Sequence, residues 1–501
     1  MRTGCSLSIT RHGGLWRRAL LLATLLLVFT LVGTVLLVIS PSRRVYAHSA
    51  NEWTSRSIYF IMTDRFSDGN TGNDNYGGFN TNRSDATAWH GGDFQGIINH
   101  LDYIKNMGFT AIWITPVVMQ HDAHAYHGYW GYDFYSIDGH LGSMSDLQSL
   151  VTQAHNRNIW VMLDVVANHT GSYNYTAPTF PNYSNYHHNG NIQDYNNQWD
   201  LENEDVAGLN DLNQDDSTTH STLLNNVSWL VSTTGVDGLR VDTVKHVPKS
   251  FWSSYAQSAG TFTIGEVYSG DPGYVGDYTH YLDAVLDYPM YYTIHDVFAQ
   301  NKSMYEIRDR YNSDGSYRDA RTNGVFIDNH DQDRFLCDAS GNPAQTWDKY
   351  PQLEMALAFT FASRGIPIMY YGTEQGFSGC ADPANREDMF NSFNTSGTLY
   401  NYVAKLNYAR NLNAALQNGA QYEKWVDDSF YAFERENGGS NVLVALNNCW
   451  CTRTVTIPNL DNFASSQTLH DELTGTAYHL QGNSITLTLP SHQAVELTNR
   501  Y

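Results

Sequence analysis

Three short apolar runs in this 501-residue chain carry an acidic residue at or next to their ends: Gly238-Leu239-Arg240-Val241-Asp242, Thr263-Ile264-Gly265-Glu266-Val267 and Phe326-Ile327-Asp328-Asn329-His330-Asp331. A carboxyl group can give a proton, take one, or attack an electron-poor carbon. Several of them delivered to one place would support general acid–base or nucleophilic chemistry. Runs this short and apolar read as parallel strands buried on both faces. Acidic residues at the ends of successive buried strands are what a (β/α)8 barrel presents at its C-terminal face, where its chemistry takes place.

The rest of the chain supplies such a barrel. Residues 58–62 read as a first strand, and the spacing of Ile97, Ile98, Leu101 and Ile104 predicts a helix over 94–107. Residues 109–114 form a second strand, 147–156 a helix and 159–166 a third strand. Strand–helix–strand units of this length imply parallel pairing with right-handed crossovers. The beat breaks after Asn168-His169, where the chain to Leu212 is rich in Asn, Tyr and Asp with no helical period. A stretch that long without regular structure usually carries function, and it reads as a small lobe inserted in the third βα loop. Helix and strand then alternate through strands at 238–242, 262–267, 281–288, 324–331 and 366–371, with helices at 222–232, 251–259, 304–311, 351–363 and 399–416. From about Gln421 the period becomes two, with runs at 430–434, 441–446, 452–457, 484–489 and 494–498, which predicts an antiparallel β-sandwich. The expected division is barrel over 51–168 and 213–417, lobe over 169–212 and sandwich over 418–501.

A formal net charge of -22 disfavours nucleic acid or an anionic membrane as a partner, since phosphate binding needs a basic face. The charge suits a neutral, polyhydroxylated ligand and a bound cation. Residues 1–47 are a separate segment, in which Arg11, Arg17 and Arg18 precede an uncharged run from Ala19 to Ile39 and Val45-Tyr46-Ala47 follows. This reads as a secretory signal cut after Ala47; the apolar run is also long enough for a retained anchor. Either way the body lies outside the cytoplasm, and secretion is expected. Beyond Cys5, four cysteines remain, with three ways to pair; Cys337–Cys380 is the expected pair, because both fall in loops after late barrel strands. Cys449 and Cys451 would then close a very tight ring.

With these residues in view, the chain resembles the α-amylase family of glycoside hydrolases, and most closely its fungal-type secreted members. The likeness runs from about Arg56 to Arg410 and rests on ordered motifs: Asp164-Val165-Val166-Ala167-Asn168-His169, Gly238 to His246, Gly265-Glu266-Val267, Asp328-Asn329-His330-Asp331 and Asp382-Pro383-Ala384-Asn385-Arg386. The resemblance implies that Asp242 is the nucleophile, Glu266 the general acid/base and Asp331 the residue that stabilises the transition state. A retaining glycosidase needs one carboxylate ionised and one protonated. Arg240, on the same strand face as Asp242, is expected to keep it ionised. By the same resemblance His127, His169 and His330 bind the cleaved sugar, Tyr129 and Trp130 stack on it, and Arg240, Lys245, Asp382 and Arg386 complete the substrate set. The bland reading of a lone Tyr or Trp is core filling, and of a lone acidic residue a cap or surface charge. Matched motifs on successive strands outweigh it.

The resemblance also implies a calcium ion between barrel and lobe, held by Asn168, Asp211, the carbonyl of His246 and Glu202, with Glu204 and Asp205 close enough to blur the register at Glu202. These are oxygen donors, as a hard cation requires. His121, His124 and His127 have zinc-like spacing, but no further ligand set accompanies them. The expected partner is starch or a maltooligosaccharide, with no nucleic acid and no membrane once the signal is removed, and the chain is expected to act as a monomer. The leading function is endo-hydrolysis of α-1,4-glucosidic bonds. A transglycosylating or maltooligosaccharide-releasing relative is the alternative. An inactive glucan-binding scaffold should have lost some of its carboxylates, and none is missing.

Overall fold

A computed structural model describes residues 48–345 and 348–500, together with residues 1, 3 and 4. The apolar N-terminal run, the expected cut after Ala47 and Cys5 lie outside the described residues. No helix among the described residues is long and apolar enough to cross a membrane.

Eight parallel strands make the core: β1 Ile58–Ile61, β2 Ala111–Ile114, β3 Trp160–Val165, β4 Gly238–Val241, β5 Phe262–Gly265, β6 Ala284–Val285, β7 Gly324–Val325 and β8 Ile366–Tyr370. Their order is β6-β5-β4-β3-β2-β1-β8-β7. A parallel bridge between Leu286 and Gly324 joins the two ends, so the sheet closes into a (β/α)8 barrel. Nearly every strand residue is buried, because neighbouring strands cover its edges, side chains fill the interior and helices cover the outside. The helices are amphipathic where they cover strands. In α1, Phe94–Asn106, the residues Phe94, Ile97, Leu101 and Ile104 are buried, and Asp93 caps the first turn by accepting from Gly96 N.

Strand β7 is shorter than its apolar run suggests. After Val325 the chain leaves the ladder, and polar side chains take over its backbone groups. His295 Nε2 sits 2.5 Å from Ile327 O, and Asn329 Oδ1 accepts from Asp331 N at 2.9 Å. The stretch expected to be irregular holds a little structure. A short helix spans Gln198–Asn203, and His169–Thr170 pairs antiparallel with Asn210–Asp211, which closes the base of the lobe. A hairpin of Val118–Met119 with Asp133–Ile137 after β2 gave no strand signal in the sequence, since its first arm is only two residues and its second is mostly half-exposed.

The C-terminal region holds β9 Ala420–Val426, β10 Phe430–Asn437, β11 Ser440–Asn447, β12 Arg453–Ile457, β13 Thr468–Asp471, β14 Ala477–His479, β15 Ile485–Leu489 and β16 Gln493–Thr498. Six of them form an antiparallel sheet in the order β9-β10-β11-β16-β13-β14, and β12 pairs with β15 in a second sheet. Alternation sorts the residues of the larger sheet. Tyr431, Phe433, Val442, Val444 and Leu446 join the barrel core, whereas Phe430, Ala432, Leu443, Ala445 and Val495 face the smaller sheet with Val455, Ile457, Leu487 and Leu489. Strands β9 and β14 are largely exposed and polar, so no apolar pattern marked them in the sequence. Cys337 is bonded to Cys380 and Cys449 to Cys451.

Candidate active site

The three acidic strand ends meet in one cleft of about 830 Å³ at the C-terminal mouth of the barrel. Its walls come from the βα loops and from Tyr195, Ala207 and Leu209 of the lobe. Asp242, Glu266 and Asp331 all line it.

The centre of the site is Arg240, which is 1% exposed. It lies on β4 opposite Asp164 of β3, and two residues before Asp242, so all three side chains point into the barrel. Arg240 Nη1 donates to Asp164 Oδ1 and Oδ2 at 2.9 and 3.0 Å and to Asp242 Oδ1 at 2.8 Å. Its Nη2 lies 2.9 Å from Glu266 Oε2. One planar guanidinium therefore holds the two cleft carboxylates side by side, with a third beneath them.

Local backbone geometry fixes the pair. Thr243 follows Asp242 with φ 46°, a left-handed conformation that is strained for a β-branched residue. Its Oγ1 donates to Asp242 Oδ2 at 3.0 Å and its N–H to Glu266 Oε2 at 3.1 Å, so both carboxylates engage the strained residue. Gly265 precedes Glu266 because a Cβ there would meet Leu282 Cδ1 at 2.5 Å and Val244 Cγ2 at 3.0 Å. The remaining Glu266 oxygen, Oε1, accepts from the hydroxyl of Tyr288 at 3.1 Å, and that hydroxyl accepts from Asn329 Nδ2 at 3.1 Å.

The electrostatics correct one expectation. Arg240 does not simply hold Asp242 ionised, because it is shared with Glu266 and Asp164. Burial pushes the Asp242 carboxyl well above the ordinary range; Arg240 opposes this, and repulsion from Glu266 and Asp164 adds to it. Asp164 is pushed up to about 6, by burial first, against the pull of Arg240 and the hydroxyl of Tyr129. Three carboxylates facing one guanidinium carry more negative charge than it can offset.

Asp331 stands apart and is 40% exposed, 3.4 Å from Arg386 Nη2 and 3.3 Å from His330 Nε2. Arg386 is anchored by His330 O at 2.9 Å, Tyr126 Oη at 3.0 Å and Asp382 Oδ1 at 3.1 Å. The His330 ring stacks on Tyr129 with centroids 5.1 Å apart. Tyr129 is only 9% exposed, and its hydroxyl donates to Asp164 Oδ2 at 2.7 Å, so it is as much a pillar as a platform. Trp130 lines the cleft. His127 Nδ1 accepts from Tyr129 N at 3.0 Å and His169 Nε2 lies 3.1 Å from Tyr129 O. Burial pushes His127 and His330 well down and His169 to about 4, so these rings meet a ligand uncharged at neutral pH. Lys245 Nζ donates to Tyr268 O at 3.0 Å along one wall.

Of the expected metal ligands, Asn168, Asp211 and the carbonyl of His246 come together. Asn168 Oδ1 lies 2.7 Å from His246 O and 3.2 Å from Asp211 Oδ1, three acceptors with no proton between them. Either a cation sits among these oxygens or the amide turns to present its NH2. Asp211 Oδ2 is 2.5 Å from His187 Nδ1, and burial pushes this carboxyl up to about 7. The donor set suits a hard cation. Among the described residues no group of three or more His, Cys, Asp or Glu side chains is placed to hold a metal, and here only one donor is a carboxylate. Glu202 is not brought to this group by its side chain, whose Oε1 accepts from Gln198 Nε2 at 2.6 Å; main chain from its helix reaches His246 instead, with Leu201 O 3.2 Å from Nδ1. Glu204 accepts from Gln193 N and Asp205 from Asp211 N. His121 stacks on Tyr132, His124 is exposed beside Asp122 and His127 is in the cleft, so the three do not converge.

Sequence reasoning gave no role to Asp164, Tyr288 or Asn329. An acidic residue inside the apolar run 159–166 was a usable signal for the first, since a buried charge needs a partner. Nothing in the spacing of Tyr288 marked it.

The model of the alpha amylase catalytic domain matches residues 60–416. A beta/alpha-amylase of Paenibacillus polymyxa is 59% identical over 446 residues, 87% of this chain and 37% of that protein, so the chain spans little more than a third of its length. Alpha-amylase 2 of Schwanniomyces occidentalis is 35% identical over 88% of this chain and 89% of its own. A cyclomaltodextrin glucanotransferase of Bacillus licheniformis is 34% identical over 94% of this chain and 70% of its own. Among solved structures, an alpha-amylase from Anoxybacillus superposes with a TM-score of 0.82 at 35% identity, covering 90% of this chain and 99% of its own.

Proposed function

The chain belongs to the alpha-amylase family of glycoside hydrolases, and from that premise we propose that it is a secreted endo-acting α-amylase that cleaves internal α-1,4 bonds of starch with retention of configuration. The observation that carries the reading is the single guanidinium of Arg240 clamping Asp242 and Glu266 side by side. A retaining mechanism needs two carboxyls about 5–5.5 Å apart with one proton between them. Asp242 attacks the anomeric carbon while Glu266 gives its proton to the departing glycosidic oxygen. Water then displaces Asp242 as Glu266 takes the proton back. Asp331, exposed to the cleft, meets sugar hydroxyls and binds more tightly as charge develops on the ring. The neutral histidines hydrogen-bond hydroxyls without competing for the acid's proton.

Asn168, Asp211 and His246 O would hold calcium, which would tie the lobe wall of the cleft to the barrel. Secretion is supported by the N-terminal pattern and by two disulfides, which suit an oxidising compartment. N-terminal sequencing of protein from the medium should find His48 first; intact chain found only in membranes would establish an anchor.

Soluble starch tests the main reading. Viscosity should fall steeply while few reducing ends appear, and fresh product should carry the α-anomer. Alignment with the cyclomaltodextrin glucanotransferase favours one second reading, intramolecular transglycosylation, which would yield products without reducing ends.

A further inference from the structure

We infer that Tyr288, held by Asn329, is the positioning residue for the oxygen of Glu266 that gives up the transferable proton. The inference rests on the reading of Glu266 as the general acid.

The argument is a count of donors. Glu266 Oε2 receives two, Arg240 Nη2 at 2.9 Å and Thr243 N–H at 3.1 Å. Neither partner can accept a proton, so Oε2 is the oxygen that stays bare. The acid proton therefore belongs to Oε1, and the one side chain that bonds Oε1 among the described residues is Tyr288, at 3.1 Å. Tyr288 is fully buried, with Phe326 at 5.1 Å and Tyr268 at 5.0 Å packed edge-on against its ring, so its hydroxyl has one place to be. Asn329 Nδ2 donates to that hydroxyl, which turns the phenolic hydrogen toward Oε1. The other end of the same amide is fixed too, since Asn329 Oδ1 accepts from Asp331 N at 2.9 Å and Gln332 N at 3.0 Å. One amide thus sets the turn that carries Asp331 and, through a phenol, the orientation of Glu266.

The step balances as follows. The Oε1–H bond breaks and the glycosidic oxygen takes the proton; the C1–O bond breaks with its electron pair going to that oxygen while a carboxylate oxygen of Asp242 forms the new bond to C1. Oε1 is left with the charge, and the phenolic hydrogen faces that charge. In the second half, water gives a proton to Oε1 as its oxygen attacks C1, and the C1–O bond to Asp242 breaks with its electron pair returning to that carboxylate. Tyr288 gives up no proton in either half; it steadies the ionised oxygen between them.

The test is Tyr288→Phe, which removes one oxygen and leaves the packing. On starch, kcat should fall about 10- to 100-fold with KM within about twofold, less than the loss of a full general acid. The acid should keep its proton to higher pH without the donated bond, so the alkaline limb of the kcat/KM profile should move up, by about one pH unit. An aryl maltooligoside with a very good leaving group needs no proton for departure, and its first step should be nearly unaffected. Asn329→Asp, isosteric at the other end, should turn the phenolic hydrogen away from Oε1 and give the same three signs should Tyr288→Phe prove poorly folded. Equal losses on starch and on the activated substrate, or an unmoved alkaline limb, would overturn the inference and leave Tyr288 as packing. Failure of the acid assignment itself would show separately, as full starch activity in Glu266→Gln.

Discussion

Two buried groups of oxygens, one under the cleft and one under the lobe, solve the same problem in different ways. Around Arg240, the carboxylates of Asp164, Asp242 and Glu266 gather on a cation that the chain itself supplies. Around Asn168, the oxygens of Asp211 and His246 crowd an amide oxygen, and no guanidinium or ammonium of the described residues bonds them. A fixed cation gives geometry that does not depend on the medium. A calcium ion at the second, as proposed, would make the docking of the lobe, and hence one wall of the cleft, depend on metal supply.

The largest effect should come from removing the proposed nucleophile. Asp242→Asn keeps volume and packing, and kcat on starch should fall by about four orders of magnitude or more while the circular dichroism melt stays close to wild type. A second change asks whether charge alone suffices at the first site. Arg240→Lys keeps the cation but cannot fork to Asp164, Asp242 and Glu266 at once, and activity should drop by about 100-fold, a loss typical of one misplaced charge-stabilising donor. Activity retained within a few-fold would mean that the shared guanidinium is not what organises the pair.

The contrast sharpens with chelation. Removing metal should destabilise the protein by about 3 kcal/mol relative to a hundredfold calcium excess over Kd, and calcium should restore melting temperature and activity together. Arg240→Lys activity should not respond to calcium in this way. A metal-free preparation with unchanged stability would show that the Asn168 amide simply turns.

The smallest effect is a slope. Asp164 has a folded value of about 6 against the ordinary 3.8, so the folded chain binds this proton more tightly than the unfolded one. The resulting stability is full below about pH 4 and is lost as pH rises through 6, an effect of up to about 3 kcal/mol. Asp164→Asn should flatten the stability–pH curve between those limits, which denaturant midpoints taken at several pH values would reveal.

What was legible in the sequence was whatever the backbone delivers directly. Asp242 and Glu266 follow apolar runs whose ends had to reach one barrel mouth, and Asp331 sits in a loop beyond a strand. The (β/α)8 order was legible for the same reason, because eight buried strands leave eight apolar runs. Tyr288 was not, since its role depends on the first turn of the helix after β6 placing a hydroxyl opposite an amide from the loop after β7, a contact with no local signature. Glu202 was assigned by resemblance, in a register that Glu204 and Asp205 blur, and its carboxylate bonds Gln198. Sandwich strands β9 and β14 were invisible because exposed strands need no apolar pattern.

The barrel's closure has a consequence for how the molecule fails. Strands β6 and β7 are two residues each, and their seam is a single bridge from Leu286 to Gly324 with the Asp287 N–H to Gly324 O bond at 2.8 Å. Side chains hold it more than the ladder does, Arg364 on Asp287 at 2.7 Å among them. Few backbone bonds mean a low local opening free energy, so amides along this seam should exchange with deuterium well before those of β1 to β4. Tyr288 stands on one side of the seam and Asn329 on the other. Warming should part them while the rest of the barrel is intact, so catalysis should fade some degrees below the melting temperature, with the acid losing its alignment before the chain loses its fold.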